Sequence, residues 1–208
     1  MTEKLLFELI TPGSASLNEV STAIPPDQIA AAETKQLIAA MLAIASGRQG
    51  DIEKKTMVGL AAPQLGINKR VIVVDVTSTG MGEVPELRAY INPVITARSS
   101  QTELGREGCF STGNVCGAVE RASEVTIEAY DQAGKLVKEQ YIGFTARIFQ
   151  HEVDHLDGIR FPDRITEVSN LHWVEDEQFG DYREQWLTWP THCDRKTWEA
   201  VKSDQKSN

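Results

Sequence analysis

The stretch from Phe144 to Leu156 limits the folds open to this chain more than any other. It holds neither proline nor glycine, and its apolar residues fall at Phe144, Ile148, Phe149, Val153 and Leu156, the spacing of a buried stripe on a helix. Gly158 and Pro162 follow where such a helix ends. Inside it lies His151-Glu152-Val153-Asp154-His155. Residues four apart on a helix sit one turn above each other, so both imidazoles can reach one metal ion. Glu152 stands beside the first, placed to take a proton from a water at that ion. The competing reading is a surface helix with two incidental histidines.

A catalytic site on two histidines needs a third protein ligand and an open position. A downstream histidine at the extended metalloprotease spacing would fall in Phe161-Pro162 and is absent, and Glu167 fits that role poorly. Upstream, Glu107-Gly108-Cys109-Phe110-Ser111 offers a thiolate next to a glycine that permits close backbone approach. A free cysteine is more often a small buried hydrophobe, so Cys109 keeps both readings. Val58-Gly59-Leu60-Ala61-Ala62-Pro63-Gln64 puts small residues where a backbone can approach a substrate, and ends on a neutral side-chain donor. By itself that segment reads more plainly as a tight packing turn.

Taken in order, the three segments resemble the peptide deformylase family: GLAAPQ at Gly59 to Gln64, EGCxS at Glu107 to Ser111, and QHExDHLxG at Gln150 to Gly158. The resemblance is clear over roughly residues 57 to 162 and weak over Leu9 to Ile24. It implies an α+β fold, with mixed or antiparallel strands around a central HExxH metal-binding helix. It implies a metal-dependent hydrolase that removes the N-formyl group from the N-terminal methionine of newly made proteins, releasing formate. Cys109, His151 and His155 would be the metal ligands, Glu152 the general base and then the acid, and Gln64 with the Phe110 backbone N–H the oxyanion donors. Val58, Gly59, Gly108, Arg147 and Ile148 would contact substrate. The cofactor would be one divalent ion, Fe(II) first, with Zn, Ni or Co able to take the same ligands. Glu107 and Arg121 read either as a pair that braces the Cys109 loop or as two separate surface charges, and Asp154 either as the group that orients a ligand histidine or as a solvated helix residue.

Composition agrees with a single globular enzyme. A net charge of −9 excludes a nucleic-acid binder that works through a broad basic surface. The opening apolar run is broken by Glu8, too early for a secretory signal core, and no apolar stretch reaches the length of a membrane span. Three cysteines, Cys109, Cys116 and Cys193, do not suggest a disulfide framework. The expected location is the cytoplasm.

Elsewhere the pattern predicts a helix over 29–46, opened by Pro25-Pro26-Asp27, with Leu37, Met41 and Ile44 on its buried stripe. A polar loop follows through Lys55. Arg70 to Val76 reads as a buried strand, Thr77 to Pro85 as a loop, Tyr90 to Thr96 as a strand, and Val125 to Tyr130 as a half-buried strand. Asp131 to Gly134 then turns into Leu136 to Tyr141.

The chain departs from the family at three places. Met57 stands where the motif usually begins with glycine. Cys116 falls where an arginine usually holds the substrate backbone, in a neutral stretch, Thr112 to Val119, read as a loop. Phe110 replaces the usual leucine, which matters little if only its N–H is used. The expected division is a catalytic domain over 1–165 and an extension over 166–208. That extension carries all four tryptophans, Trp173, Trp186, Trp189 and Trp198, which predicts packing on the body or on a second subunit. Lys202 to Asn208 is expected to fray. From Asp163 on there are ten Asp/Glu against six Lys/Arg, a net of −4, so a basic ribosome-docking tail is not supported. The expected partner is the nascent N-formylmethionyl peptide, without membrane or direct nucleic-acid recognition. The alternatives are a same-scaffold metal amidase with altered substrate preference, a metal-binding pseudoenzyme and a general HExxH peptidase.

Overall fold

The computed structural model describes residues 7–49, 52–53, 56–79 and 84–203. In chain order its elements are α1 (Ala32–Ala45), β1 (Arg48–Gln49), β2 (Ile52–Glu53), β3 (Gly59–Ala61), β4 (Val71–Asp75), β5 (Leu87–Arg98), β6 (Thr102–Gly108), β7 (Val115–Ala122), β8 (Glu124–Tyr130), β9 (Leu136–Ile142), α2 (Gly143–Leu156), β10 (Leu171–Trp173), α3 (Phe179–Gln185) and α4 (Arg195–Lys202), with short 3-10 turns between them. A five-stranded antiparallel sheet runs β3-β4-β5-β8-β9, a three-stranded one runs β10-β7-β6, and β1 pairs with β2. This is the α+β architecture expected, with α2 at its centre.

β4 explains the layering. All its residues are buried, although a strand turns alternate side chains to opposite faces. Val71 and Val73 join the core under α1, with Leu37, Met41 and Ile44, while Ile72 and Val74 join the core under α2, with Phe149, Val153 and Leu156. A strand covered on both sides must be apolar throughout, which is why it reads as a continuous run. β8 lies nearer solvent and alternates, burying Val125, Ile127 and Ala129 against the α2 core. Tyr141 stacks on Phe149 with centroids 4.4 Å apart, and Tyr90 meets the same ring edge-on. α2 is thereby held rigid along its apolar face.

Several expectations need correction. Pro26–Gln28 forms a separate 3-10 turn, so Asp27 does not open α1; the extended backbone at Ala31 breaks the path and α1 begins at Ala32. The neutral stretch read as a loop becomes β7 from Val115, because β6 and β10 pair with it on either side. Part of the loop through Lys55 is the β1–β2 pair; residues 50–51 and 54–55 lie outside the described residues, as do 80–83 of the Thr77 to Pro85 stretch and 204–208 of the end expected to fray, whereas Lys202 belongs to α4 and is tied to Asp163 and Arg160.

The C-terminal tryptophans pack on this chain's own body. Trp198 joins Val115, Val119, Phe161 and Ile165, with Cys109 at the margin, and Trp189 joins Cys116, Val174 and Tyr182. Asp194 caps α4 by accepting from the Thr197 N–H at 2.7 Å. Trp198 anchors the helix from its centre, and burial of that size typically contributes about 3–5 kcal/mol against truncation to alanine. No described helix is long and apolar enough to cross a membrane.

Candidate metal centre

Two elements bring the ligand atoms together. α2 presents His151 and His155 with ring centroids 5.0 Å apart. β6 ends at Gly108, and the 3-10 turn Phe110–Thr112 folds the chain back so that Cys109 faces them, its Sγ 3.4 Å from His155 Nε2. The Thr112 N–H and hydroxyl both donate to the Cys109 carbonyl, at 3.0 and 2.8 Å, and lock that turn. The three ligand atoms lie within 4.8 Å of one another.

Glu107, buried one position before Gly108, organises the surroundings. It accepts from His151 Nδ1 at 2.8 Å, which leaves Nε2 of that ring for an ion. Arg121 clamps both its carboxylate oxygens, each at 2.9 Å, and Arg147 donates to Oε1 at 2.9 Å. The expected Glu107–Arg121 brace is therefore present. Asp154 does not orient a histidine: it accepts from Arg121 at 2.5 Å and Arg164 at 2.6 Å, holding the arginine that holds Glu107. Arg147 also donates to the carbonyls of Glu103, Gly105 and Val119, and its guanidinium lies flat on Gly105, where a Cβ would come within 2.7 Å of Nη2. That guanidinium braces β6 and β7, so its hydrogen bonds are not free for a substrate.

The donor set suits a cation. Burial alone would lower the pKa of His151, yet the Cys109 sulfur and Glu107 raise it well above its ordinary value. His155 moves the other way, lowered by burial and by the charges of His151, Arg160 and Arg121. A soft sulfur and two imidazoles in a buried, negatively braced cradle fit one divalent transition-metal ion.

Glu152 is buried beside them. Burial pushes its carboxyl up to about 7, against the opposing effect of His151. Its Oε2 has no hydrogen-bond partner among the described residues, and its Oε1 occupies the space that a Cβ on Gly59 would need. Gly59 is thus required for the carboxylate to fit against β3. Gly59→Ala is expected to push Glu152 aside and lower kcat about a hundredfold with far-UV circular dichroism unchanged, since displacements near 1 Å have that effect on aligned groups. An active Gly59→Ala variant would show that the carboxylate has room to work elsewhere.

Gln64 is aimed by its neighbours. Its Oε1 accepts from the Ala61 N–H at 2.8 Å, which turns Nε2 toward Cys109 Sγ at 3.3 Å and Ser111 Oγ at 3.2 Å. Phe110 opens the turn after Cys109, so its N–H is one of the donors a helical start leaves unpaired. Val58 and Gly108 are exposed, Ile148 is buried against the α2 core, and the Phe110 side chain is 64% exposed. Sequence reasoning gave no role to Ser111, although it sits in the EGCxS segment, nor to Arg160, which no local pattern marks.

An HExxH helix, a cysteine from a neighbouring strand end and a buried carboxylate beside them define a mononuclear metal hydrolase. The chain belongs to the polypeptide deformylase family, whose model matches residues 7–170. It is 49% identical over 113 residues to a peptide deformylase of Desulforudis audaxviator, covering 53% of this chain and 68% of that one. Among solved structures it is similar to a class I type b peptide deformylase from Acinetobacter baumannii with Met-Ala-Ser bound, at 35% identity and a TM-score of 0.69 over 78% of this chain and 100% of that one. It is also similar to the Synechococcus elongatus peptide deformylase in complex with actinonin, at 33% identity and a TM-score of 0.66 over 79% and 83%.

Proposed function

We propose that this chain is a metal-dependent peptide deformylase, hydrolysing the formyl amide at the N-terminal methionine of newly made proteins and releasing formate. The observation that carries this reading is the convergence of Cys109, His151 and His155 beside a buried, partner-free Glu152 carboxylate oxygen. Cys109, His151 and His155 would hold one divalent ion, Fe(II) in the cell, which supplies Lewis acidity to a carbonyl and acidifies a water. Glu152 accepts the proton from the attacking water and returns it to the leaving amine. Gln64 Nε2 and the Phe110 N–H donate to the oxygen that gains charge.

β3 and β6 are both edge strands, so Gly59 and Gly108 lie on sheet edges open to an extended peptide, while Val58, whose carbonyl accepts from the Asp75 N–H at 2.8 Å, would meet it through its exposed side chain. Ile148 contributes to the apolar wall beneath the methionine side chain, and Arg147 acts by holding β6 in place. The two departures that favoured an altered substrate are absorbed by packing: Met57 lies against the α1 core and Cys116 is buried under Tyr182 and Trp189. Residues 1–165 form the catalytic unit, and 166–208 an extension that braces it. The proposed place of action is the cytoplasm, on nascent chains, and the acidic extension supports action without an RNA contact through the tail.

The test is formate release from formyl-Met-Ala-Ser by iron-loaded protein under anaerobic conditions. The acetylated and unblocked peptides should be inert. Turnover of the acetyl peptide at a comparable rate would favour the broader amidase. Cys109→Ala is expected to weaken divalent-ion affinity by at least about a hundredfold, measured by metal analysis after equilibrium dialysis. Full metal content in that variant would remove Cys109 from the ligand set.

A further inference from the structure

Arg160 is among the largest fully buried side chains of the molecule, at 0% exposure, and among the described residues its guanidinium makes no ion pair. Asp163 accepts from the Arg160 backbone N–H at 3.2 Å and its charge offsets part of the guanidinium's, but a buried cation with no salt bridge is a costly group to keep. Its contacts show where it is held. Nη1 donates to the Ser111 carbonyl at 3.0 Å and the Pro12 carbonyl at 2.5 Å. Nη2 donates to Asn18 Oδ1 at 2.8 Å and the Lys202 carbonyl at 3.3 Å, and Nε has no partner among the described residues. The Trp198 ring of α4 lies under the guanidinium, 4.8 Å from Cζ to its centroid. Trp198 is itself tied down, its Nε1 donating to Asp163 Oδ1 at 2.8 Å, and Lys202 Nζ reaches the same carboxylate.

The contact to Ser111 links this knot to the chemistry. Ser111 is buried, and its hydroxyl meets Gln64 Nε2 at 3.2 Å. The other end of that amide is held by the Ala61 N–H. A displacement of the Ser111 backbone therefore swings Gln64 about Oε1, while the Thr112 hydroxyl, donating to both the Cys109 and the Val115 carbonyls, keeps a hold on Cys109 that does not run through the Ser111–Thr112 peptide.

We propose that Arg160 is a positioning residue for the oxyanion site, clamped between Trp198 of the C-terminal helix and the Ser111 carbonyl, so that the extension sets the aim of the Gln64 amide. This deepens the deformylase reading and rests on it. Arg160 touches no substrate. A guanidinium suits the task because its planar fork reaches the turn, the N-terminal segment and α4 at once, while its face lies on an indole. Lysine keeps the charge and loses the fork.

The experiment is a double-mutant cycle on the full, metal-loaded chain. Arg160→Lys is expected to lower kcat for formyl-Met-Ala-Ser about tenfold with KM changed less than about twofold, because an oxyanion donor acts on the transition state. Trp198→Ala should do the same, and Trp198→Phe, which keeps an aromatic face, should retain more than about half of kcat. In a Gln64→Ala background Arg160→Lys should change kcat less than about twofold, since the amide it aims is gone. The Co(II)-substituted Arg160→Lys protein should keep the sulfur-to-metal charge-transfer band of the wild type. Wild-type kcat in Arg160→Lys, a full tenfold loss repeated on Gln64→Ala, or loss of the charge-transfer band would each overturn the proposal. If the wild type releases no formate, the deformylase reading itself fails. The positioning claim is then read from the Gln64 side-chain amide signals by NMR, where a shift in Arg160→Lys and Trp198→Ala supports it and unchanged signals overturn it.

Discussion

Glu152→Gln is expected to lower kcat for formate release from formyl-Met-Ala-Ser by about a thousandfold while leaving KM and metal content near wild type. Glutamine matches glutamate in size, so the contact with Gly59 survives and β3 need not move. The change removes only the capacity to take and return a proton. Burial already favours protonation of this carboxyl, pushing it up to about 7, where a group can serve as base and then acid near neutral pH. Its free Oε2 is the atom that would do so. Steady-state kinetics on protein with verified metal occupancy decide the matter. A Glu152→Gln variant that keeps more than about a tenth of the rate would assign the proton transfer to another group.

The second large effect is on stability. Glu107→Ala is expected to cost about 3–5 kcal/mol, because it strips the shared carboxylate from two buried guanidiniums and leaves His151 Nδ1 without its acceptor. Against a typical total of about 5–15 kcal/mol this is a large fraction, and it corresponds to a fall in Tm of roughly 10 °C for a chain of this size. Ion affinity should fall about 10- to 100-fold, since the ring that Glu107 orients is a ligand. The loss also has a pH signature. Burial alone would raise the Glu107 carboxyl, but the Arg121 charge and the hydrogen bonds from His151 and Arg121 hold it well below its ordinary value of 4.5. A depressed folded pKa means that the unfolded chain binds the proton first. The stabilisation is then complete above about pH 5 and disappears as pH falls through the folded value. Thermal melts of both proteins should differ most just above that pH and converge in acid, and the part of the gap that comes from charged His151 should fade as pH rises through its raised pKa. A gap of under about 1 kcal/mol at neutral pH would show that the two arginines find other partners.

How much was legible in advance varies with the element. α2 and β4 are legible to within one or two residues, α2 because its apolar residues repeat at helical spacing and β4 because burial on both faces makes it one unbroken apolar run bounded by turns. β6 and β7 are not. Thr102–Gly108 is an edge strand with little apolar alternation, and in β7 the chain needs Gly117, since a Cβ there would run into Ile165 Cδ1 and stand 2.6 Å from the Asn170 carbonyl. Packing against residues some fifty positions away sets that requirement, and no window of sequence contains it. The hold on Arg147 is equally beyond any window of sequence: the resemblance implies a substrate contact there, and three backbone carbonyls and Glu107 bind its guanidinium to the strands.

The sequence by itself determined the chemistry: two imidazoles on one helical face, a glutamate between them, and the family that these share with Cys109 and Gln64. A helix repeats every 3.6 residues whatever surrounds it, so that spacing carries its meaning locally. Only the tertiary structure decided which groups brace the site. Glu107 between Arg121, Arg147 and His151, and Arg160 between Ser111 and Trp198, are meetings of segments far apart in the chain. They exist because buried charges must find partners, and where those partners lie is settled when the two sheets, α2 and the C-terminal helix close around one another.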